Sequence, residues 1–108
     1  MARQAIFTCK TVDRKEVTLY KDRYDTHILQ EHPELARDYD DPAGEIEHAL
    51  MNAAKVTSGK GKARIYVGPH AQANPPAGVQ QMYVVVVPER EGNGWWVVTA
   101  YAEPVLVW

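Results

Sequence analysis

Apolar and β-prone residues are grouped near the start of the chain in a way that predicts two strands. Residues 5–12 and 16–20 are rich in residue types that favour β-structure. They are separated by Asp13, Arg14 and Lys15, a polar connection of the length that joins the strands of a hairpin. The pattern therefore predicts an N-terminal β-hairpin.

From about Asp22 the apolar spacing becomes that of a helix. Tyr24, Ile28 and Leu35 recur at intervals of four and seven residues, which places them on one helical stripe. Pro33 is expected to close or kink this helix, because proline disfavours helical geometry in the residue before it.

A second helix is predicted from Asp41, which is followed directly by Pro42. Aspartate is a preferred N-cap residue, and proline is preferred at the first helical position. The apolar residues that line one face of this helix are Ile46, Ala49, Leu50 and Ala53. The helix is expected to lead into a flexible basic turn at residues 58–61.

Three further strands are predicted in the second half of the chain, at residues 63–67, 81–87 and 95–102. Residues 105–108 are expected to add a short last strand. Residues 68–78 are rich in proline and glycine, which predicts an irregular loop. A loop of this length is expected to be either functional or mobile. The predicted fold is α+β, with an N-terminal β-hairpin, two helices and then an antiparallel sheet of three to four strands.

The last of these strands can be divided by face, since side chains alternate across a strand. One face is wholly apolar and consists of Trp96, Val98, Ala100 and Ala102. The other face consists of Trp95, Val97, Thr99 and Tyr101. If the first face packs against the helices, Thr99 and Tyr101 line a groove on the second.

The composition is that of one folded globular domain. The chain has 108 residues, of which 45% are hydrophobic and 24% charged. Its longest apolar run, residues 82–87, is too short to cross a bilayer, and the first four residues lack the apolar run of a signal peptide. A cytoplasmic location without membrane contact is therefore expected. The single Cys9 is expected to be a buried hydrophobe.

The charges are unevenly distributed along the chain. The net charge is −2, which does not favour general electrostatic binding of nucleic acid. Residues 31–47 contain seven acidic residues and only one cation, Arg37. The charged residues of 55–64 are all cations. The first segment is expected to repel phosphate or to face a basic partner. The second is either a solubilising turn or a phosphate-binding segment.

His27 is the candidate catalytic base, because histidine exchanges protons near neutral pH. His27 and His32 are five residues apart, so on an α-helix they point about 140° away from each other. Helical histidine pairs that bind zinc are four residues apart. With only one cysteine in the chain, no metal or other cofactor is expected.

The order of these motifs resembles that of a known superfamily. A hairpin that ends in Leu-Tyr is followed by an aromatic residue, His-Ile-Leu and His-Pro-Glu-Leu, then by a second helix and a basic strand. A Tyr-Val-Val-Val-Val strand and a Val-Thr-Ala-Tyr strand complete the order. Over residues 17–102 the chain is similar to the phage-associated barnase, EndoU, colicin and RelE-like nucleases, the BECR-fold superfamily.

This resemblance implies a small, metal-independent endoribonuclease of toxin or phage-effector type, which cleaves RNA by attack of the ribose 2′-hydroxyl on the adjacent phosphate. It implies RNA as substrate and a protein antitoxin or immunity protein as a partner. By the matching positions the catalytic residues are His27, Arg64 and Thr99. The implied substrate-binding residues are Lys60, Lys62, Tyr66 and Tyr101.

Several alternatives remain open at the level of sequence. The general acid is unassigned among Tyr101, Tyr66, His32 and His70. His32 is expected to cap the helix before Pro33, and His70 is expected to be exposed in its loop. The chain is less basic than RelE-like toxins. The alternative function is therefore a catalytically inactive member of the same fold that binds RNA or protein.

Overall fold

The fold is organised around one six-stranded sheet in the computed structural model, which describes residues 4–71 and 79–104. The strands β1 to β6 span Ala5–Lys10, Glu16–Tyr20, Lys55–Ser58, Arg64–Gly68, Val79–Pro88 and Trp95–Pro104. Their order across the sheet is β1-β2-β6-β5-β4-β3. Neighbouring strands are antiparallel except β2 and β6, which are parallel.

The predicted α+β class is confirmed, whereas the predicted strand number is too low. The N-terminal hairpin joins the same sheet through β2, which pairs with β6 at two positions. In addition, residues 55–58 pair with β4 as strand β3, a strand that was not predicted. The predicted strand at residues 105–108 lies outside the described residues.

The first helical segment contains a π-helical turn. The α-helix α1 (Lys21–Arg23), the π-helix (Tyr24–Ile28) and the α-helix α2 (Leu29–Glu31) follow one another without a break, and together they are called the π-bearing helix. The Leu29 amide donates to the Tyr24 carbonyl, which makes the wider turn. The helix ends before Pro33, as the sequence predicted.

Two more helices complete the described fold. A short helix, α3, spans Glu34–Asp38 directly after Pro33 and was not predicted. The helix α4 spans Pro42–Met51 and begins as predicted, with the Asp41 side chain accepting a hydrogen bond from the Gly44 amide. Within residues 4–71 and 79–104 no helix is long and apolar enough to cross a membrane.

The core lies between the helices and one face of the sheet, which is called the α4 face. Besides α4, the π-bearing helix contributes the fully buried Ile28 and α3 contributes the fully buried Leu35. The fully buried strand residues on this face are Val17, Leu19, Tyr66, Met82, Val84, Val86, Val97 and Ala100. They pack against Ile46, Ala49 and Leu50 of α4. Cys9 is buried as predicted, and its burial raises the pKa of its thiol to about 11.

A β-bulge interrupts β6. Val85 of β5 pairs with Thr99, whereas the next residue, Val86, pairs with Val97. Val98 is therefore the extra residue that a bulge inserts. An inserted residue shifts the two-residue alternation of side chains by one position.

The bulge corrects the predicted division of β6 into faces. Val97 is fully buried on the α4 face, and Trp95 packs against the same core. Trp96 instead shares the opposite face of the sheet with Thr99 and Tyr101. The sequence assigned Trp95, Val97 and Trp96 to the wrong faces because nothing local to β6 marks the extra residue.

All three hairpin turns lie at one end of the sheet, because β2 runs parallel to β6. This end is called the turn end, and it comprises residues 11–15, 59–63 and 89–94 together with Arg64. Its link to α4 is a hydrogen bond from the Val12 amide to the Leu50 carbonyl, 3.2 Å long. At the other end, called the far end, the Ala71 amide donates to both carboxylate oxygens of Glu45 near the start of α4, at 2.9 Å each.

Candidate active site

His27 lies within the π-helical turn and forms an ion pair on the same helix. Its Nε2 atom is 2.6 Å from Oε2 of Glu31, and its side chain is 36% exposed. A carboxylate in this position orients the imidazole. Single π-helical turns inside α-helices are frequently found at functional sites. His27 is therefore both oriented and accessible.

The π-bearing helix is attached to β6 through Arg23. The Arg23 Nε atom donates to the Val98 carbonyl at 2.8 Å, so the bulge residue supplies the acceptor. The guanidinium carbon lies 5.3 Å from the centre of the Trp96 ring, within the range of a cation–π interaction. The Arg23 side chain is thus fixed at the edge of β6 on the face opposite α4.

His32 makes the second contact between this segment and β6. Its ring centre is 5.7 Å from that of Tyr101. His32 is the C-cap residue of the helix, as predicted, and its amide donates to the Ile28 carbonyl at 2.9 Å. Its side chain interacts with a carboxylate, since Nδ1 lies 3.2 Å from Oε1 of Glu34. Because Arg23 and His32 both contact β6, the helix that carries His27 runs beside the part of the strand that carries Thr99.

The Thr99 side chain carries a hydroxyl group with no internal partner. Among the described residues its Oγ1 atom is buried and accepts or donates no hydrogen bond. A buried polar atom without a partner costs free energy, so such atoms call for an explanation. The Thr99 hydroxyl is therefore a polar group on the face opposite α4 whose capacity for hydrogen bonding is unused in the structure.

Tyr101 belongs to a stack of aromatic rings on this same face. Its ring lies 5.2 Å from that of Tyr83 with an interplanar angle of 4°, and His32 extends the stack on the helix side. Tyr101 and Tyr83 are directly opposite each other on β6 and β5. The stack borders Thr99 on one side and forms an aromatic wall of the candidate site.

Arg64 does not share a face with Thr99. Its guanidinium carbon lies 5.4 Å from the centre of the Trp95 ring on the α4 face, and its Nη1 atom is 3.9 Å from Oδ2 of Asp13. Arg64 pairs with Val86 of β5, and Val86 pairs with Val97 of β6. Arg64 therefore lies on the same face as the buried Val97, which is on the other side of the bulge from Thr99. The sheet therefore separates the arginine and the threonine that the sequence placed in one site.

Tyr66 lies in the core. It is fully buried, and its hydroxyl donates to Oδ1 of Asp13 at 2.7 Å. The Thr11 hydroxyl donates to the same carboxylate oxygen. Burial raises the pKa of Tyr66 to about 12. In this position the side chain holds the first hairpin turn against β4 and does not face a substrate.

Lys60 and Lys62 lie in the turn between β3 and β4, where both are exposed. They therefore belong to the turn end together with Arg64. Of these three cations, Arg64 lies on the α4 face, opposite to the face that carries Thr99.

His70 is buried, so the prediction that it is exposed was wrong. Its side chain is 5% exposed, and its Nδ1 atom lies 3.2 Å from the Tyr39 hydroxyl oxygen. Burial lowers the pKa of His70 despite the nearby Glu45 carboxylate. Burial also raises the pKa of Tyr39 to about 12. These contacts attach the segment after β4 to α3 and α4.

The acidic segment borders a cavity at the start of α4. The cavity has a volume of about 400 Å³. Its acidic lining residues are Asp40, Asp41, Glu45 and Glu47. In the described part of the chain no three His, Cys, Asp or Glu side chains are grouped so that they could hold a metal ion.

The Asp13 cluster leads to a prediction about stability at acid pH. Burial alone would raise the pKa of Asp13, but hydrogen bonds from Thr11 and Tyr66 outweigh it and the pKa lies below the usual 3.8. A lowered pKa contributes stability that is present above pH 3.8 and is lost as the pH falls through the folded-state pKa. We expect Tyr66→Phe to lower the free energy of unfolding by about 1 kcal/mol at neutral pH, and by less at about pH 2.

Urea unfolding of both proteins at the two pH values measures this difference. Tyr39→Phe is the matched control, because it removes another buried tyrosine hydroxyl, which is paired with the imidazole of His70. The loss of unfolding free energy caused by Tyr39→Phe should be the same below pH 4, whereas the loss caused by Tyr66→Phe should become smaller there. A Tyr66→Phe cost that is equal at both pH values would show that Asp13 is not the group involved.

Sequence reasoning missed Arg23 as a site residue. It is four residues before His27, so helical spacing places the two side chains on neighbouring turns of one side of the helix. That spacing was the available signal. The contact with Val98 was not predictable, because it depends on the bulge in β6. No protein-family model, curated protein or solved structure matches the chain.

Proposed function

We propose that the protein is a small metal-independent endoribonuclease of toxin or phage-effector type, with its site on the sheet face opposite α4. The observation that carries the proposal is the position of the π-bearing helix. This helix, which carries the ion-paired His27, is attached through Arg23 and His32 to the strand in which the Thr99 hydroxyl has no internal partner.

Cleavage of RNA through its 2′-hydroxyl needs a base for the hydroxyl proton, and His27 suits that role. If the Nε2–H group donates to Glu31, the Nδ1 atom has a lone pair with which to accept the proton. The 2′-oxygen then attacks phosphorus, and the bond to the 5′-oxygen breaks. The positive charge that forms on the imidazole is stabilised by Glu31, 2.6 Å away.

The negative charge that develops on the phosphate requires donors on the same face. Arg23 is better placed than Arg64 for this role, because it lies at the edge of β6 on the side of Trp96. Its Nη groups carry the donors that suit a phosphate oxygen. The Thr99 hydroxyl supplies another hydrogen bond to the phosphate. Together these donors would stabilise the transition state electrostatically.

Of the four residues that the sequence left open as the general acid for the 5′-oxygen, two are better placed than the others. Tyr66 and His70 are buried on or near the α4 side and are hydrogen-bonded there. Tyr101 and His32 contact each other on the face that carries Thr99. The proposal therefore assigns the acid to Tyr101 or His32.

A catalytically inactive member of the same fold is the second candidate function. It is favoured by the packing of Tyr101 between Tyr83 and His32, which occupies part of the proposed groove. Such a protein would bind RNA or a protein partner, such as an antitoxin, without cleaving RNA. It would bind equally well with or without the His27 side chain.

Product analysis tests the proposal directly. We expect the purified protein to cleave single-stranded RNA equally well with and without EDTA, leaving 2′,3′-cyclic phosphate and 5′-hydroxyl ends. The same RNA with 2′-O-methyl groups should remain intact, since it lacks the attacking hydroxyl. Intact RNA under all conditions, loss of cleavage in EDTA or cleavage of the methylated RNA would contradict the proposal.

A further inference from the structure

The turn end collects cations that are far apart in the sequence. Its three turns and Arg64 carry six Lys or Arg residues and three Asp or Glu residues. The cations are Arg14, Lys15, Lys60, Lys62, Arg64 and Arg90. The turns meet because β2 is parallel to β6 and the remaining pairs are antiparallel.

Contacts within the turn end reduce the effect of its acidic groups. Asp13 accepts hydrogen bonds from Tyr66 and Thr11 and faces Arg64. Glu89 accepts a hydrogen bond from the Tyr20 hydroxyl at 2.6 Å. Asp13 and Glu89 therefore serve to hold the turns in place, whereas the third acidic residue, Glu91, is exposed. Lys60 and Lys62 are exposed as well, and Lys15 is half-buried.

Arg64 is held in a geometry that suits a planar anion. Its guanidinium lies over the Trp95 ring, while its side chain remains 44% exposed. Stacking on an aromatic ring fixes the guanidinium plane and leaves donors on its edge, an arrangement that favours phosphate recognition. Lys60 and Lys62 project from the adjoining turn.

The opposite charge lies at the far end. Residues 31–47 carry seven acidic residues and one cation, and this segment includes α3 and the start of α4. Glu45 is tied there to Ala71, beyond the end of β4. A polyanion is therefore attracted to one end of the sheet and repelled from the other.

We propose that the turn end is a second RNA-binding surface, which contacts phosphates of the RNA backbone at a distance from the cleavage site. This inference rests on the proposed function in that it assigns the same RNA to both surfaces. The substrate is then a strand long enough to reach from the face that carries Thr99 to the turn end. Short oligonucleotides would occupy the cleavage site alone.

The test compares two triple variants of equal net charge in the inactive His27→Ala background, so that binding is measured without cleavage. The first combines Lys15→Gln, Lys62→Gln and Arg90→Gln, one cation from each turn. The matched control combines Lys21→Gln, Arg37→Gln and Lys55→Gln, which lie outside the turn end. Circular dichroism and thermal unfolding check that both variants fold like the parent.

Affinity for single-stranded RNA of about 20 nucleotides is measured by fluorescence anisotropy at several salt concentrations. We expect the turn-end variant to bind at least about tenfold more weakly at low salt, and the slope of log K against log salt to fall by about 2. The control variant should stay within about twofold of the parent. Neither variant should alter the binding of a dinucleotide.

Equal weakening in the two variants would overturn the inference, because it would show a general charge effect. Unchanged binding in the turn-end variant would overturn it as well. Competition by polyglutamate as effective as that by RNA would assign the surface to an acidic protein instead. If the wild type cleaves RNA and the turn-end variant binds normally, only this inference fails. If RNA stays intact but the turn-end variant binds weakly, only the nuclease proposal fails.

Discussion

Replacing His27 by alanine should reduce RNA cleavage by about 10²- to 10⁴-fold, the usual contribution of a positioned general base. The fold should be unaffected, because the side chain is more than one third exposed and its partner Glu31 is itself exposed. The rate is measured on single-stranded RNA under single-turnover conditions. In a host cell, expression of the wild type should arrest growth, whereas His27→Ala should permit it.

The control for this substitution is His48→Ala. His48 is a helical histidine on α4 whose Nδ1 atom lies near the Asn52 side chain, and its loss should leave cleavage unchanged. Thr99→Val adds a second probe of the same site. It removes a hydroxyl without an internal partner, so it should lower cleavage without lowering the free energy of unfolding. Full activity of His27→Ala would refute the nuclease proposal.

Replacing Gly68 by alanine should destabilise the protein by about 2–3 kcal/mol or more, at the upper end of overpacking effects. A Cβ atom at this position would lie 2.4 Å from the carbonyl oxygen of Ala49 and 2.7 Å from its Cα atom. Both are backbone atoms of α4, so no side-chain rotation relieves the clash. The helix would have to move away from β4, which opens the core around Leu50. Urea unfolding measures the change.

Gly94→Ala is the matched control for Gly68→Ala. The nearest atoms to a Cβ at Gly94 are 3.7 and 3.9 Å away, which is ordinary van der Waals contact, and its φ is not positive. Alanine at such a glycine is neutral or slightly stabilising, because it restricts the unfolded chain. Equal stability of Gly68→Ala and Gly94→Ala would mean that α4 and β4 are not tightly packed in solution.

The parts of the fold that the sequence predicted have local signals. Asp41 followed by Pro42 marks the start of α4 by capping chemistry that involves only the first helical turn. The two long strands β5 and β6 are marked by valine-rich runs on either side of a glycine-containing turn. Pro33 marks the end of the π-bearing helix in the same local way. Each of these elements begins or ends where nearby residues require it.

The parts that the sequence did not predict depend on contacts between distant residues. The bulge at Val98 is defined only by its pairing with Val85 and Val86 of β5. Strand β3 is defined by the pairing of residues 55–58 with β4, and four residues are too few to show a strand pattern of their own in the sequence. Which residues come together in the candidate site also depends on contacts between distant residues. Whether Arg64 and Thr99 share a face is decided by register across three strands.

The parallel pairing of β2 with β6 has a consequence for how the protein matures. The strand pairing between the N-terminal hairpin and β6 consists of two residue pairs, Val17 with Trp95 and Thr18 with Trp96. They are far apart in the chain, so they form only after the chain between them has been synthesised, and their closure is slow compared with that of the hairpins. The π-bearing helix follows directly from β2. A nascent chain that has not yet formed β6 therefore has His27 but no opposing strand, and a cleavage site of this design would stay inactive until synthesis and folding of the sheet are complete.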